Sequence, residues 1–259
     1  AGVEISPLFV TVSESGSVAR YSVRLTASPE DEVVSVRASV SGGAGEGEVL
    51  LSVVGADGNV SSSVGWDAVV NLTSSTWSTG VEVEVSAVDD AVSEGLMSYE
   101  VSHWLWSSKA GSAFESVGSL PSVNVSVVDD DSASVLVSPS YQVTVTEGAS
   151  VGNVSGTSEY WVHLSSEPVW PVTVDLSVSA GGVGDLWVGP SQLVFNSSTW
   201  MVGQLVTVSV VEDFFDEGVE HWNVTHVVSS ADPVYASLSS FEVDVTVLDN
   251  DMAGVEISP

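Results

Sequence analysis

An all-β protein is what this sequence predicts, built as two antiparallel β-sandwiches in tandem, and three observations predict it. Val, Thr, Tyr and Trp alternate with Ser, Asp and Glu at period two, as in Val81-Glu-Val-Glu-Val85 and Val206-Thr-Val-Ser-Val210. That alternation marks strands with one face buried. Clusters of Gly, Asp, Pro and Ser punctuate the runs at the spacing of sandwich turns, which gives around seven short strands per unit. The motifs of the first half then return in the same order in the second, and no stretch carries a convincing helical stripe.

The repeat has two levels. Ala1-Gly-Val-Glu-Ile-Ser-Pro7 recurs unchanged as Ala253 to Pro259, 252 residues on. Chance does not produce such an identity, so the chain reads as one period plus the opening of the next, cut from a longer array. Within the period, Ala1–Pro7 answers Ala133–Pro139, and Val10-Thr-Val-Ser-Glu14 answers Val143-Thr-Val-Thr-Glu147. Tyr21-Ser-Val-Arg-Leu25 answers Tyr160-Trp-Val-His-Leu164, and Ser75-Thr-Trp77 answers Ser198-Thr-Trp200. Val123–Asp131 answers Val243–Asp251. The expected domains are therefore 1–132 and 133–252, with 253–259 as the first strand of a further repeat. A junction of one or two residues is no flexible tether, so neighbouring sandwiches are expected end to end as a semi-rigid rod.

Charge narrows the function. The 259 residues include 35 Asp and Glu against 4 Lys and Arg, a net charge of -31. Such a chain is repelled by nucleic acid and by anionic lipid, so neither is expected as a partner; cations are. At 44% hydrophobic residues it has enough apolar side chains for real cores. No apolar run approaches the roughly 18 residues of a membrane helix, so no membrane insertion is expected. Cysteine is absent, which removes disulfides, thiolate metal sites and cysteine nucleophiles together.

The acids cluster at three recurrent places. One is the Glu that follows the first strand pair, Glu14 and Glu147. The second is an acidic pair ending a central strand with an acid-Gly beyond it: Asp89, Asp90 and Glu94, answered by Glu212, Asp213, Asp216 and Glu217. The third is terminal: Asp129, Asp130 and Asp131, answered by Asp249, Asn250 and Asp251. Strand ends from distant sequence meet at one end of a sandwich, where converging carboxylates repel unless a cation lies between them. Calcium suits such a set, because it takes six to eight oxygens in flexible geometry.

These motifs resemble the Calx-β family. The pattern V-x-V-x-E-G, the strand Y-x-V-x-L-x-x-x-P, the run W…V-x-V-x-x-D-D…E-G and the closing V-x-V-x-D-D-D pass through both halves. The resemblance implies immunoglobulin-like (Calx-β-like) sandwiches with Ca2+ at one pole. Carried over residue by residue, it implies the ligands Glu14, Asp89, Asp90, Glu94, Asp129, Asp130 and Asp131 in the first unit. In the second it implies Glu147, Asp213, Glu217, Asp249 and Asp251. Ser15 stands where the motif has glycine, and Asn250 interrupts the terminal triplet, which implies a weaker second site.

Six Asn-x-Ser/Thr sequons occur, at Asn59, Asn71, Asn124, Asn153, Asn196 and Asn223. Asn124 and Asn223 alternate with inward residues and are expected to face outward. Asn71 and Asn196 are expected in matching loops before Trp77 and Trp200. Lys109 is the one lysine, and Ser and Thr take over the surface, as a wall bearing covalent glycans would show. Trp104, Trp106, Trp161, Trp170 and Trp187 mostly alternate with Val and are expected in cores or interfaces. His103, His163, His221 and His226 form no catalytic spacing, and no phosphate loop is present, so catalysis is not expected.

The function expected from these readings is a structural repeat of a secreted, glycosylated extracellular fibre or appendage. Its partner is itself, through neighbouring repeats. The alternative is the stalk or binding module of a cell-surface adhesin, stiffened by calcium. Calcium sensing as in exchangers of the same family is a third reading, for which no transporter segment is present.

Overall fold

The computed structural model describes all residues except 42–46, 56–57, 61–64, 149–153, 180–185 and 258–259. The chain divides into two compact units, residues 1–90 with 94–130 and residues 91–93 with 131–259.

The first unit has nine strands: β1 (Val3–Ser6), β2 (Phe9–Ser13), β3 (Val18–Leu25), β4 (Val34–Ser41), β5 (Val49–Val54), β6 (Asp67–Leu72), β7 (Val81–Ala87), β8 (Leu96–Ser107) and β9 (Val123–Val128). They form one sheet in the order β1-β3-β7-β5 and a second in the order β2-β9-β8-β4-β6. The second unit repeats the pattern with β10 (Val135–Ser138), β11 (Gln142–Thr146), β12 (Val154–Leu164), β13 (Val172–Val178), β14 (Leu186–Gly189), β15 (Gln192–Phe195), β16 (Gln204–Val211), β17 (Val219–Ser230) and β18 (Phe241–Leu248). Its sheets run β10-β12-β16-β14 and β11-β18-β17-β13-β15. Among the described residues a single four-residue helix, α1 (Pro233–Ala236), precedes β18; Asp232 caps it by accepting from the Val234 N–H.

Each unit is thus a two-sheet sandwich, with two departures from the sequence reading. Among the described residues each unit has nine strands rather than about seven, and one of the additions arises because Pro7 and Pro139 offer no N–H to a ladder and break the first run in two. The piece before each proline stays on one sheet and the piece after it crosses to the other. The sheets are also not wholly antiparallel: β2 pairs parallel with β9 and β11 parallel with β18. The crossing strand lies beside the last strand of its own unit and runs in the same direction.

Both cores follow from the alternation. Val10, Val36, Val101 and Val125 of one sheet meet Ile5, Val23, Leu51 and Val85 of the other in a single buried cluster. Val145, Val174, Val224 and Val245 meet Val137, Val162, Val208 and Val210 in the second unit. Burying each such side chain stabilises by about 1.5–3 kcal/mol. Each core also holds a Tyr–His pair. The Tyr21 hydroxyl lies 3.0 Å from His103 Nε2, and the Tyr160 hydroxyl 3.0 Å from His226 Nε2. Burial holds both imidazoles below their ordinary pKa, His226 at about 4. A neutral ring spans the tyrosine and a backbone carbonyl, at Pro121 or Val224.

The five tryptophans expected in cores or interfaces are all about half exposed, from 45% at Trp106 to 57% at Trp170. Those on strands fall on the outward parity, which corrects the core part of the expectation. Residues 253–257, expected to open a further repeat, form no strand, and Val255 and Ile257 are exposed. The same residues at the start of the chain form β1, in register with β3 through Val3↔Leu25 and Ile5↔Val23.

Candidate metal centre

The acids gather at one end of each sandwich because five strands begin or finish there. In the first unit Glu14 follows β2, Glu48 precedes β5, Asp89 and Asp90 lie beyond β7, Glu94 precedes β8, and Asp129 and Asp130 follow β9. Parallel pairing brings the ends of β2 and β9 together, and the Glu14 N–H continues that ladder onto the Val128 carbonyl at 3.1 Å.

Asp129 shapes this end. Its Oδ2 accepts from the N–H groups of Glu94 and Gly95, each at 2.6 Å. Gly95 has φ +75°, a conformation that side chains disfavour, and it turns both amides toward one oxygen. The second unit repeats the device: Asp249 Oδ2 accepts from Glu217 at 2.6 Å and from Gly218, also at φ +75°, at 2.8 Å. The Asp251 N–H, which donates to Asp249 Oδ1 at 2.6 Å, and then the Gly218 and Glu217 amides hold the Asp249 carboxyl below its ordinary pKa. The acid-Gly motif is thereby a backbone clamp as well as a source of charge.

Within the clamp the carboxylates crowd. Glu14, Glu48 and Glu94 each offer an oxygen within 4.8 Å of the others, and so do Glu147, Asp249 and Asp251. Glu14 and Asp130 also approach within 4.8 Å. Glu14 is only 4% exposed, and its pKa is pushed up to about 7, first by burial and then by Asp129, Asp90, Glu94 and Glu48. Glu147 is likewise pushed up to about 7, by burial and then by Asp249, Asp213, Glu212 and Glu217. Glu48 and Glu94 are raised too, burial again being the largest cause.

Several of these oxygens have no protein partner. Glu14 Oε2, Glu48 Oε2, Glu147 Oε2 and Asp251 Oδ2 are buried without a hydrogen bond. A buried acceptor with no donor is costly, and a buried unpaired charge more so. Two oxygens on one calcium ion, at the 2.3–2.6 Å it prefers, lie at most about 5 Å apart, and the oxygens of each group meet that condition. An all-oxygen, strongly anionic donor set suits a hard divalent cation, so the residues fit calcium.

The sequence-derived ligands therefore divide. Glu14, Asp90, Glu94, Asp129 and Asp130 lie in the first cluster, and Glu147, Asp213, Glu217, Asp249 and Asp251 in the second. Asp89 is exposed and belongs to neither three-oxygen group, and Asp131 opens the second unit. One participant, Glu48, escaped the sequence reading, and another, Glu212, was placed in the acidic cluster but not among the ligands. Glu48 precedes β5, and its sequence counterpart before β14, Asp185, lies outside the described residues. Glu212, the counterpart of Asp89, is buried, and Asn250 Nδ2 donates to it at 3.2 Å and to the Gly148 carbonyl at 2.7 Å. Asn250 thus places a neutral donor where the first unit has Asp130.

The sequons occupy different settings. Asn59, Asn71, Asn124 and Asn196 are exposed, while Asn153 lies outside the described residues. Asn223 lies on the outward phase of β17, opposite buried Val224, but is half-buried there, and its Nδ2, the atom a sugar would occupy, donates to Glu242 at 2.7 Å. Asn71 and Asn196 are not equivalent either. Asn71 sits on β6, whereas Asn196 follows β15 and caps a turn through Ser198 and Thr199.

No protein-family model matches the chain, and neither does any curated protein. Among solved structures, it is similar to CBD12 from CALX1.2, at 15% identity and TM-score 0.34 over 90% of this chain and 83% of that one. The apo form of the Calx CBD1 domain is 17% identical with TM-score 0.32, over 50% of this chain and 97% of that one. The CupB6 tip adhesin from Pseudomonas aeruginosa is 13% identical with TM-score 0.35, over 91% and 89%. At scores of this size the likeness adds nothing to the strand order and register, on which the fold rests.

Proposed function

We propose that the chain is a structural repeat of a secreted, glycosylated extracellular fibre or appendage whose sandwiches are each stiffened by calcium at the acidic end. The observation that carries the proposal is the pair of carboxylate clusters, at the same end of both units, with buried oxygens lacking any protein donor. In the first unit Glu14, Glu48 and Glu94 would hold the ion, with Asp90, Asp129 and Asp130 around it; in the second, Glu147, Asp249 and Asp251 would, with Asp213 beside them. The ion supplies positive charge and the missing ligation, and the chain's own part is to bring the oxygens together and fix the Glu-Gly turn. The 252-residue recurrence supports an array of such units, since identical periods let every copy make the same contacts.

Calorimetry on the full chain tests the metal. Saturating calcium at about a thousand times Kd adds about 4 kcal/mol, which for units of this size raises Tm by on the order of 10 °C over the chelated protein. Coincident melts with calcium and with EDTA would refute the metal centre. Electron microscopy of the native material tests the fibre, which requires filaments.

A further inference from the structure

The sheet β2-β9-β8-β4-β6 exposes two tryptophans on its outer face. Trp104 and Trp106, two residues apart on β8, are 52% and 45% exposed. With Arg37 and Ser39 they line an open depression of about 370 Å3. Register places Trp106 opposite Ser35 of β4, and Ser35 opposite Asn71 of β6, so the three share one outward row. The Ser35 hydroxyl donates to Asn71 Oδ1 at 2.8 Å. That bond engages the amide's oxygen, and among the described residues no hydrogen bond engages Nδ2, the atom to which an N-linked sugar attaches. Strands lie about 4.8 Å apart, so Asn71 is about 10 Å from Trp106, within reach of the first sugars of a glycan.

The second unit supplies a control. Its register aligns Val194 with Asn71, Thr173 with Ser35, Ser229 with Trp106 and Val227 with Trp104. At these positions the second unit has neither an acceptor asparagine nor a tryptophan; its own sequon, Asn196, lies just beyond β15. Two large aromatic faces left in water on the outer face that bears the acceptor, Trp106 in its row and Trp104 in the next, call for a cover. The apolar face of a pyranose ring stacks on an indole, and its hydroxyls stay in water or reach a charged neighbour such as Arg37.

We infer that Trp104 and Trp106 form a shelf on which the glycan of Asn71 lies, so that the sugar is packed against the sheet rather than extended into solvent. The inference rests on the reading of the chain as glycosylated.

The test is the full chain secreted from a eukaryotic host, with release by a peptide-N-glycosidase followed by site-resolved mass spectrometry under native conditions. W104V/W106S, which installs the side chains of the second unit, is compared with the parent. Release at Asn71 is expected about tenfold slower in the parent, as a stacking contact of ordinary strength supplies, with Asn124 released equally from both. Equal rates at an occupied Asn71 overturn the shelf and leave glycosylation standing. An Asn71 peptide without sugar overturns the shelf together with the glycosylation of that residue. Should the double variant fail to fold, Asn71→Gln reads the same contact. Acrylamide quenching of tryptophan emission is expected to rise when the sugar is lost, and unchanged quenching overturns the shelf.

Discussion

The two units share strand order, register, a buried Tyr–His pair and an acidic end, yet they handle negative charge by different chemistry. Every Lys and Arg of the chain lies in the first unit and is ion-paired: Arg20 with Glu82 and Glu84, Arg24 with Glu4, Arg37 with Asp67, and Lys109 with Asp31. The second unit has neither residue type. There, side-chain amides donate to the acids: Gln192 to Asp175, Asn223 to Glu242 and Asn250 to Glu212. Exposed ion pairs contribute little and are screened by salt, whereas amide bonds are indifferent to ionic strength. The comparison teaches that the fold does not depend on how surface carboxylates are matched. What both units keep is the clamp of Asp129 or Asp249 on two backbone amides.

The largest expected effect that probes this comparison is the response of the second core to acid. His226 is completely buried, with its pKa held near 4 against 6.5 in the unfolded chain. The unfolded state therefore binds more protons between those values, and stability is lost as pH falls from about 6.5 to 4, by up to about 3 kcal/mol. Glu147 works in the opposite sense in the metal-free protein. Its folded pKa of about 7 lies above the unfolded value, so stability is lost as pH rises from about 4.5 to 7. Melts across pH 4–8 in EDTA should show both slopes. His226→Phe should remove the acid limb while costing about 1–3 kcal/mol at neutral pH, because the Tyr160 hydroxyl loses its partner. An acid limb that survives the substitution would assign it elsewhere.

Exchanging Asp130 and Asn250 should come next in size. Asn250→Asp adds a carboxylate beside Glu212 and Glu147, destabilising the chelated second unit by about 1–2 kcal/mol. The same change should strengthen calcium binding there about tenfold. Asp130→Asn should do the reverse in the first unit. Calorimetric titration measures both, and unchanged affinity in the two variants would remove these positions from the metal centre. The smallest effect belongs to the ion pairs. Arg37→Gln should change stability by less than about 1 kcal/mol, and the parent's small advantage should vanish in high salt.

Much of this architecture was legible in the sequence. Period-two runs gave nearly every strand, and the half-repeat placed Glu14 with Glu147 and Asp129 with Asp249. Parity also carried the tryptophans: Trp104 and Trp106 share the phase of Glu100 and oppose that of Tyr99, Val101 and His103, which is the outward phase. The alternation with Val concealed this, because Val also occurs on outward faces, as Val69 and Val128 show. The parallel pairs were not legible, since a strand's own residues do not encode which neighbour it takes after crossing between sheets. Glu48 was missed because only the folding of β5 against β7 carries it to the cluster, and no local motif marks it.

The crossing of the first strand has a mechanical consequence. β2 lies near the start of its unit and β9 at its end, and they run parallel across five register positions from Phe9↔Asn124 to Ser13↔Val128; β11 and β18 repeat this from Gln142↔Asp244 to Thr146↔Leu248. Tension applied to the two ends of a unit drags such strands past each other along their length. The bridging hydrogen bonds then bear the load together in shear instead of opening one by one, as they would in a hairpin pulled from its mouth. Each sandwich is thereby arranged to resist stretching along the chain, the direction in which a thread is pulled.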